Sequence, residues 1–288
     1  MSDSKIFRCS VNMCVAKANP TLLTHTLFDV SHKEPLGSPI DEFLTRLEEI
    51  NKLSPLPDGF NPYQGQLILL GAIAAVESFI RTIFRKIIVH DPMARRSVHE
   101  REVTYGAALH LSEDLLPEAL LEKISFVGEK SIVGALRDLL GVKGNIPADL
   151  KLAIDQYVRV CQLRHCAVHR FGKLGVNNAI ALGLDEHKDL LEKPLKYDYE
   201  TLQNSIAIAT GFVKTMNNFL FNEIISRVPP TVWTGVYTSD KSTFRIYYNL
   251  FSDKTSSKST PAPKVVYTQF QKQFNAWNKA PIRATPPS

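Results

Sequence analysis

The chain has little that would span a bilayer, build a disulfide framework or hold a structural zinc. No uninterrupted apolar run reaches the ~18 residues that a membrane-crossing helix needs. The longest candidate, residues 67–89, is broken by Glu77, Arg81, Arg85 and Lys86. The opening residues, Met1-Ser2-Asp3-Ser4-Lys5, lack the charged-then-apolar order of a secretory leader. Cysteine is scarce: Cys9, Cys14, Cys161 and Cys166 are the whole set. Neither pair has the two-residue spacer of a zinc knuckle, and in a reducing compartment packed, free thiols are the expectation. There is no internal repeat. These absences set the expectation of a soluble, cytoplasmic protein with no membrane partner, metal or cofactor.

Acidic residues are nearly missing from one end. Over residues 228–288, eight Lys or Arg face only Asp240 and Asp253. That tail carries +6 of a net charge of +5, which leaves −1 for everything before it. Phe244, Tyr247, Tyr248, Phe251, Tyr267, Phe270, Phe274 and Trp277 are interleaved with the cations. Such a mixture suits stacking on unpaired bases together with phosphate attraction. A lid packed on the body, or a docking segment for a partner protein, would have the same composition.

The chain is long and apolar enough for one sizeable core, at 288 residues and 44% hydrophobic. Hydrophobic periodicity predicts helices over 41–53, 63–89, 112–123, 130–140, 149–170 and 197–225. The segment 63–89 is apolar around most of its circumference, which marks a central helix. Residues 95–105 are charged and read as exposed. Residues 1–40 hold short Thr-rich apolar runs at 6–15 and 22–30 and read as β-like. After Pro229-Pro230 the runs 232–237 and 243–251 read as two strands. The expectation is a mainly α protein: a β-like extension over 1–40, a helical bundle over 41–227, and a basic, aromatic extension over 228–288.

The chemistry concentrates at Arg164-His165-Cys166-Ala167-Val168-His169, near the end of a predicted helix. Arginine offers a permanent planar cation that suits phosphate oxygens. Histidine moves protons near neutral pH. Behind them, Arg170-Phe171-Gly172-Lys173 adds positive charge and ends the helix, so Arg170 and Lys173 are candidates for holding flanking phosphates. Surface charge without a role would look the same. Arg85 and His90 repeat the Arg-to-His separation, so the spacing alone does not identify a site.

This arrangement resembles the HEPN family (higher eukaryotes and prokaryotes nucleotide-binding domains). The features that carry the resemblance are a helical body over about 40–227, Arg164 and polar His165 followed by Cys166-Ala167-Val168 and His169 on a late helix, and an earlier apolar helix reading Ala-Ala-Val-Glu-Ser-Phe-Ile-Arg at 74–81. The resemblance implies a metal-independent endoribonuclease, a toxin or anti-phage defence effector. It also implies a homodimer with two copies of the motif lining one cleft, and an antitoxin or defence-system partner protein. Under it, Arg164 and His169 are catalytic, with His165, Glu77 and Arg81 in support.

Residues five apart on a regular helix lie ~140° apart, so Arg164 and His169 converge in one chain only if the last turn frays. His165 and His169, four apart, share a face. Glu77 and Arg81 are also four apart, which fits either a mutual ion pair or a reach toward Arg164 and His169. Cys161, His165 and His169 lie on one face, but three ligands on one straight helix span ~12 Å, too far for a single zinc. A different class fits the same residues: a non-catalytic helical binding module, a sensor or partner subunit that keeps the fold and uses the basic tail for interaction.

Overall fold

The most apolar stretch of the sequence becomes the axis of a helical bundle. The computed structural model describes residues 9–255 and 261–279. Among them are twelve α-helices and no strand. They are α1 (Pro39–Asn51), α2 (Pro62–His90), α3 (Pro92–Ser97), α4 (Tyr105–His110), α5 (Glu118–Leu121), α6 (Glu129–Asp138), α7 (Ala148–Arg170), α8 (Val176–Leu182), α9 (Leu184–His187), α10 (Tyr199–Ile225), α11 (Tyr237–Phe251) and α12 (Pro263–Lys279). The chain divides into two compact units, Met1–Leu36 and Gly37–Ser288.

Local chemistry starts these helices. Ser38 caps α1 by accepting from the Asp41 N–H at 3.2 Å, with Pro39 in the first turn. Asn61 caps α2 in the same way, accepting from Tyr63 N–H at 2.9 Å ahead of Pro62. Asp198 caps α10 through Thr201 N–H at 2.8 Å. Helix α2 then packs on α1, α7 and α10, and α10 packs along α7. Leu69, Val76, Ile80, Ile83, Phe84 and Ile87 of α2 are completely buried, each worth about 1.5–3 kcal/mol of burial. Tyr157 of α7 stacks flat on Phe212 of α10, with ring centroids 4.4 Å apart.

By length and composition α2 is apolar enough to cross a membrane, contrary to the expectation from sequence. Arg85 and Lys86 fall near its C-terminal end, which leaves an 18-residue window with few charges. Of that window 56% is buried within the protein, so contact with α1, α7 and α10 accounts for much of its apolarity.

The short helices between α2 and α7 depart from the sequence reading. The segment expected as one helix over 112–123 is helical only at Glu118–Leu121. The charged stretch after α2 forms α3, which Asp91 caps by accepting from Ala94 N–H at 2.8 Å. Asp91 also receives Arg227 Nη1 at 2.8 Å. Arg227 donates to the Leu140 carbonyl at 2.7 Å and to Glu223 at 3.0 Å. This buried pair ties the end of α2 to the end of α10.

The β-like extensions are not strands. Described residues 9–36 hold only a 3-10 turn at Thr24–Leu27, and Val11, Met13, Val15, Phe28 and Val30 are exposed. Among the described residues no strand pairs with this segment, and an unpaired extended segment has nothing to hold it as a strand. Residues 6–8 of the expected run lie outside the described residues. The second expected strand, 243–251, lies within α11. Its aromatic and β-branched residues favour strands, but Phe244, Tyr248 and Phe251 recur at helical spacing, and tertiary packing decides. With Trp233, Tyr267 and Ile225, Phe244 and Tyr248 form a second small core.

Asp240 is the polar pin of that lobe. It accepts from Thr234 N–H at 3.0 Å, Thr234 hydroxyl at 2.8 Å, Gly235 N–H at 3.1 Å and the Tyr267 hydroxyl at 2.5 Å. Burial pushes the Asp240 carboxyl up, but the Tyr267, Thr234 and Gly235 donors outweigh this and hold it below the usual range. These bonds fold residues 234–235, inside the 232–237 run expected as the first strand, into the turn that leads into α11.

Candidate functional site

Helix α7 delivers every residue of the predicted motif, and it does so as a regular helix. It runs unbroken through Arg170 and closes on Phe171, whose backbone is left-handed at φ 52° and ψ 42°. Gly172 follows at φ 88°, and its N–H returns to the Cys166 carbonyl at 3.0 Å, a closure that satisfies a terminal carbonyl. The frayed last turn expected from the glycines is therefore absent. Arg164 and His169 project ~140° apart from one chain.

The structure does bring the two histidines together. The rings of His165 and His169 lie 4.5 Å apart, tilted by 47°, and both residues are exposed. Partial burial, then the charge of His169, then that of Arg164, lower the His165 pKa below its ordinary 6.5. The sign is that of a group whose protonated form is disfavoured: His165 stays neutral to a lower pH than a free imidazole. Proton NMR titration should show its midpoint below the ordinary value. Replacing His169 with Gln should move it upward, because a cationic neighbour is removed. A midpoint that starts at the ordinary value, or does not move, refutes the coupling.

Arg164 is half-buried, one turn beyond Cys161 on α7, and makes no hydrogen bond or ion pair among the described residues. Its charge is felt by Tyr157, Cys161 and His165. Burial pushes the Cys161 thiol up to about 12, so it stays protonated. Cys161 and Cys166 are packed thiols as expected, whereas Cys9 and Cys14 are exposed. Among the described residues no group of three or more His, Cys, Asp or Glu is arranged to hold a metal.

Glu77 and Arg81 do not pair with each other. Glu77 accepts the Phe126 N–H at 3.1 Å. Arg81 donates to the carbonyls of Leu121 and of Ile124, the latter at 2.7 Å, lies 3.8 Å from Glu118, and sits 5.6 Å over the Phe126 ring. Both clamp residues 118–126 onto α2, so Arg81 is a structural brace. Glu77 also raises the pKa of Tyr157 and Cys161, which places its charge near the α7 side that carries Arg164.

Arg170, a candidate for holding a flanking phosphate, has its guanidinium ion-paired with Glu192 at the surface. Glu192 is itself held at φ 61°, and the strand-like exchange around it joins residues 172–174 to 192–195: Glu192 N–H to Leu174 O at 3.0 Å, Leu174 N–H to Lys193 O at 3.0 Å, Leu195 N–H to Gly172 O at 2.8 Å. Lys173 is exposed, with no ion pair among the described residues. Sequence reasoning missed two more residues here. Phe171 is 78% exposed and Tyr63, at the start of α2, is 60% exposed, with ring centroids 5.5 Å apart. Tyr63 begins an outward stripe of α2 that includes Leu67 and Ala74. A left-handed backbone costs a residue other than glycine about 1–2 kcal/mol, so an exposed phenylalanine is an expensive occupant. The Phe171-Gly172 pair, beginning two residues after His169, was the available signal.

The chain matches no known family model, no curated protein and no solved structure.

Proposed function

We propose that the protein is a HEPN-like, metal-independent endoribonuclease acting on unpaired RNA, a toxin or anti-phage effector. The observation that carries this reading is Arg164: a half-buried guanidinium that makes no hydrogen bond or ion pair among the described residues, adjacent in sequence to one of two imidazoles packed together. A desolvated cation without a partner is costly, and a phosphate would satisfy it bidentately. The substrate's 2′-hydroxyl is the nucleophile. His169 transfers a proton, His165 stands neutral beside it, and Arg164 strengthens its bonds as charge grows on phosphorus.

Because Arg164 and His169 diverge within one chain, the reading includes a two-fold homodimer. Leu67 and Ala74 of α2 and Val168 of α7, four residues after Arg164, are exposed apolar residues on two helices that pack together, and they are the candidates for such a contact. Joining two such faces would set one copy's arginine near the other's histidines. The same divergence favours a second reading, a non-catalytic sensor or partner subunit; a neutralising partner protein fits either.

Incubation with single-stranded RNA in excess chelator tests the first reading. Cleavage should persist, with products ending in a 2′,3′-cyclic phosphate. A strict requirement for a divalent cation, or products with 3′-hydroxyl ends, would overturn it.

A further inference from the structure

We infer that Phe171 and Tyr63 form a stacking platform for an unpaired nucleobase next to the scissile phosphate. The inference rests on the ribonuclease reading and adds a binding determinant to the same site. Phe171 is two residues beyond His169, so its position is fixed by the last turn of α7 and by the return of Gly172 N–H to Cys166 O. Its ring is 78% exposed although its backbone is left-handed, a conformation that asparagine or glycine would adopt with less strain. Strain kept at an exposed position, with Tyr63 the one described aromatic ring against it, points to a role outside the fold.

Tyr63 gives the ring its only described aromatic neighbour. The two rings are 5.5 Å apart and tilted by 43°, so each supports the other while most of both stays open. A base stacks on such a surface whatever its hydrogen-bonding edge, which makes the platform tolerant of sequence and selective for unpaired strands. Charge around it fits a polyanion: Arg164 has no ion pair or hydrogen bond among the described residues, and Lys173, two residues beyond Phe171, is exposed and pairs with no described acid. Glu192, the nearby acid, is occupied by Arg170. A protein occupant would have to be acidic and aromatic at once to match the cations and the open ring pair, whereas single-stranded RNA supplies phosphate and base together, which is why RNA is the favoured occupant.

The test measures binding of a fluorescent single-stranded RNA decamer by the full chain in the His169→Ala background, where cleavage does not deplete the probe. Phe171→Gly and Tyr63→Ala should each weaken binding by 10-fold or more, Phe171→Trp should keep it, and an RNA duplex of the same sequence should bind without dependence on Phe171. Thermal unfolding and light scattering accompany each variant; Phe171→Gly should unfold no earlier than the parent, since glycine accepts the left-handed backbone, and Phe171→Asn serves as a second variant with the same expected loss. Unchanged RNA affinity in both Phe171 variants overturns the platform. So does a change from dimer to monomer that accompanies the loss, because the patch is then a subunit contact. A wild-type chain that binds RNA through Phe171 but never cleaves it keeps the platform and sinks the ribonuclease reading.

Discussion

His169→Ala should lower the rate of RNA cleavage by about 10²–10⁴-fold, the span that a positioned proton-transfer group supplies. The fold should survive, because His169 is exposed and its only described contact is the ring of His165. Any growth arrest caused by expression should vanish with it. Arg164→Met makes the sharper comparison. Methionine keeps the length and the packing of the stem but removes a half-buried charge that no described residue ion-pairs or hydrogen-bonds. Activity should fall at least as far, while stability holds or rises, because the desolvation cost of the cation is gone. Arg164→Lys should not restore activity, since an ammonium lacks the planar fork. Cleavage that continues in His169→Ala would sink the assignment of that residue. A large loss of stability in Arg164→Met would mean that the arginine serves the fold.

The largest effect on folding is expected at Asp91. Its carboxylate faces Arg227, and the two side chains are only 4% and 7% exposed. Asp91 also caps α3. Asp91→Ala leaves a buried guanidinium with part of its charge uncompensated, which costs about 3–5 kcal/mol. For a chain of this size that is a fall in Tm on the order of 10 °C. Urea unfolding measures it directly. The Asp91→Ala, Arg227→Met double variant should recover part of the loss, because no unpaired charge remains. A single-variant loss below about 1 kcal/mol would show that solvent reaches the pair and screens it.

Much of the bundle was legible because its long helices carry strong periodic signals. The expected 63–89, 149–170 and 197–225 differ from α2, α7 and α10 by at most two residues at either end. Their boundaries were written in Asn61-Pro62, Asp198 and Phe171-Gly172. The C-terminal lobe was misread because the residues of 243–251 prefer strands individually, and only their common burial with Trp233 and Tyr267 reveals a helix. The short helices α3, α4, α8 and α9 were missed because each is too brief to show a period. At the site, Arg164, His165 and His169 were visible as a motif. Their divergence was visible too, and an intact last turn leaves it in place. The engagement of Arg170 by Glu192, 22 residues away, had no local signal, and neither did the meeting of Phe171 with Tyr63.

The helical lobe of α11 and α12 also changes what the basic tail does. Lys241, Arg245, Lys264, Lys272 and Lys279 are all exposed on those two helices. Charges on a loose chain would attract a polyanion from any direction. Charges on packed helices keep a fixed arrangement within that lobe, so an approaching polyanion would be turned before it touches. That torque reaches only about 8 Å through physiological saline. Added salt should therefore slow encounter much more than it loosens a complex already formed.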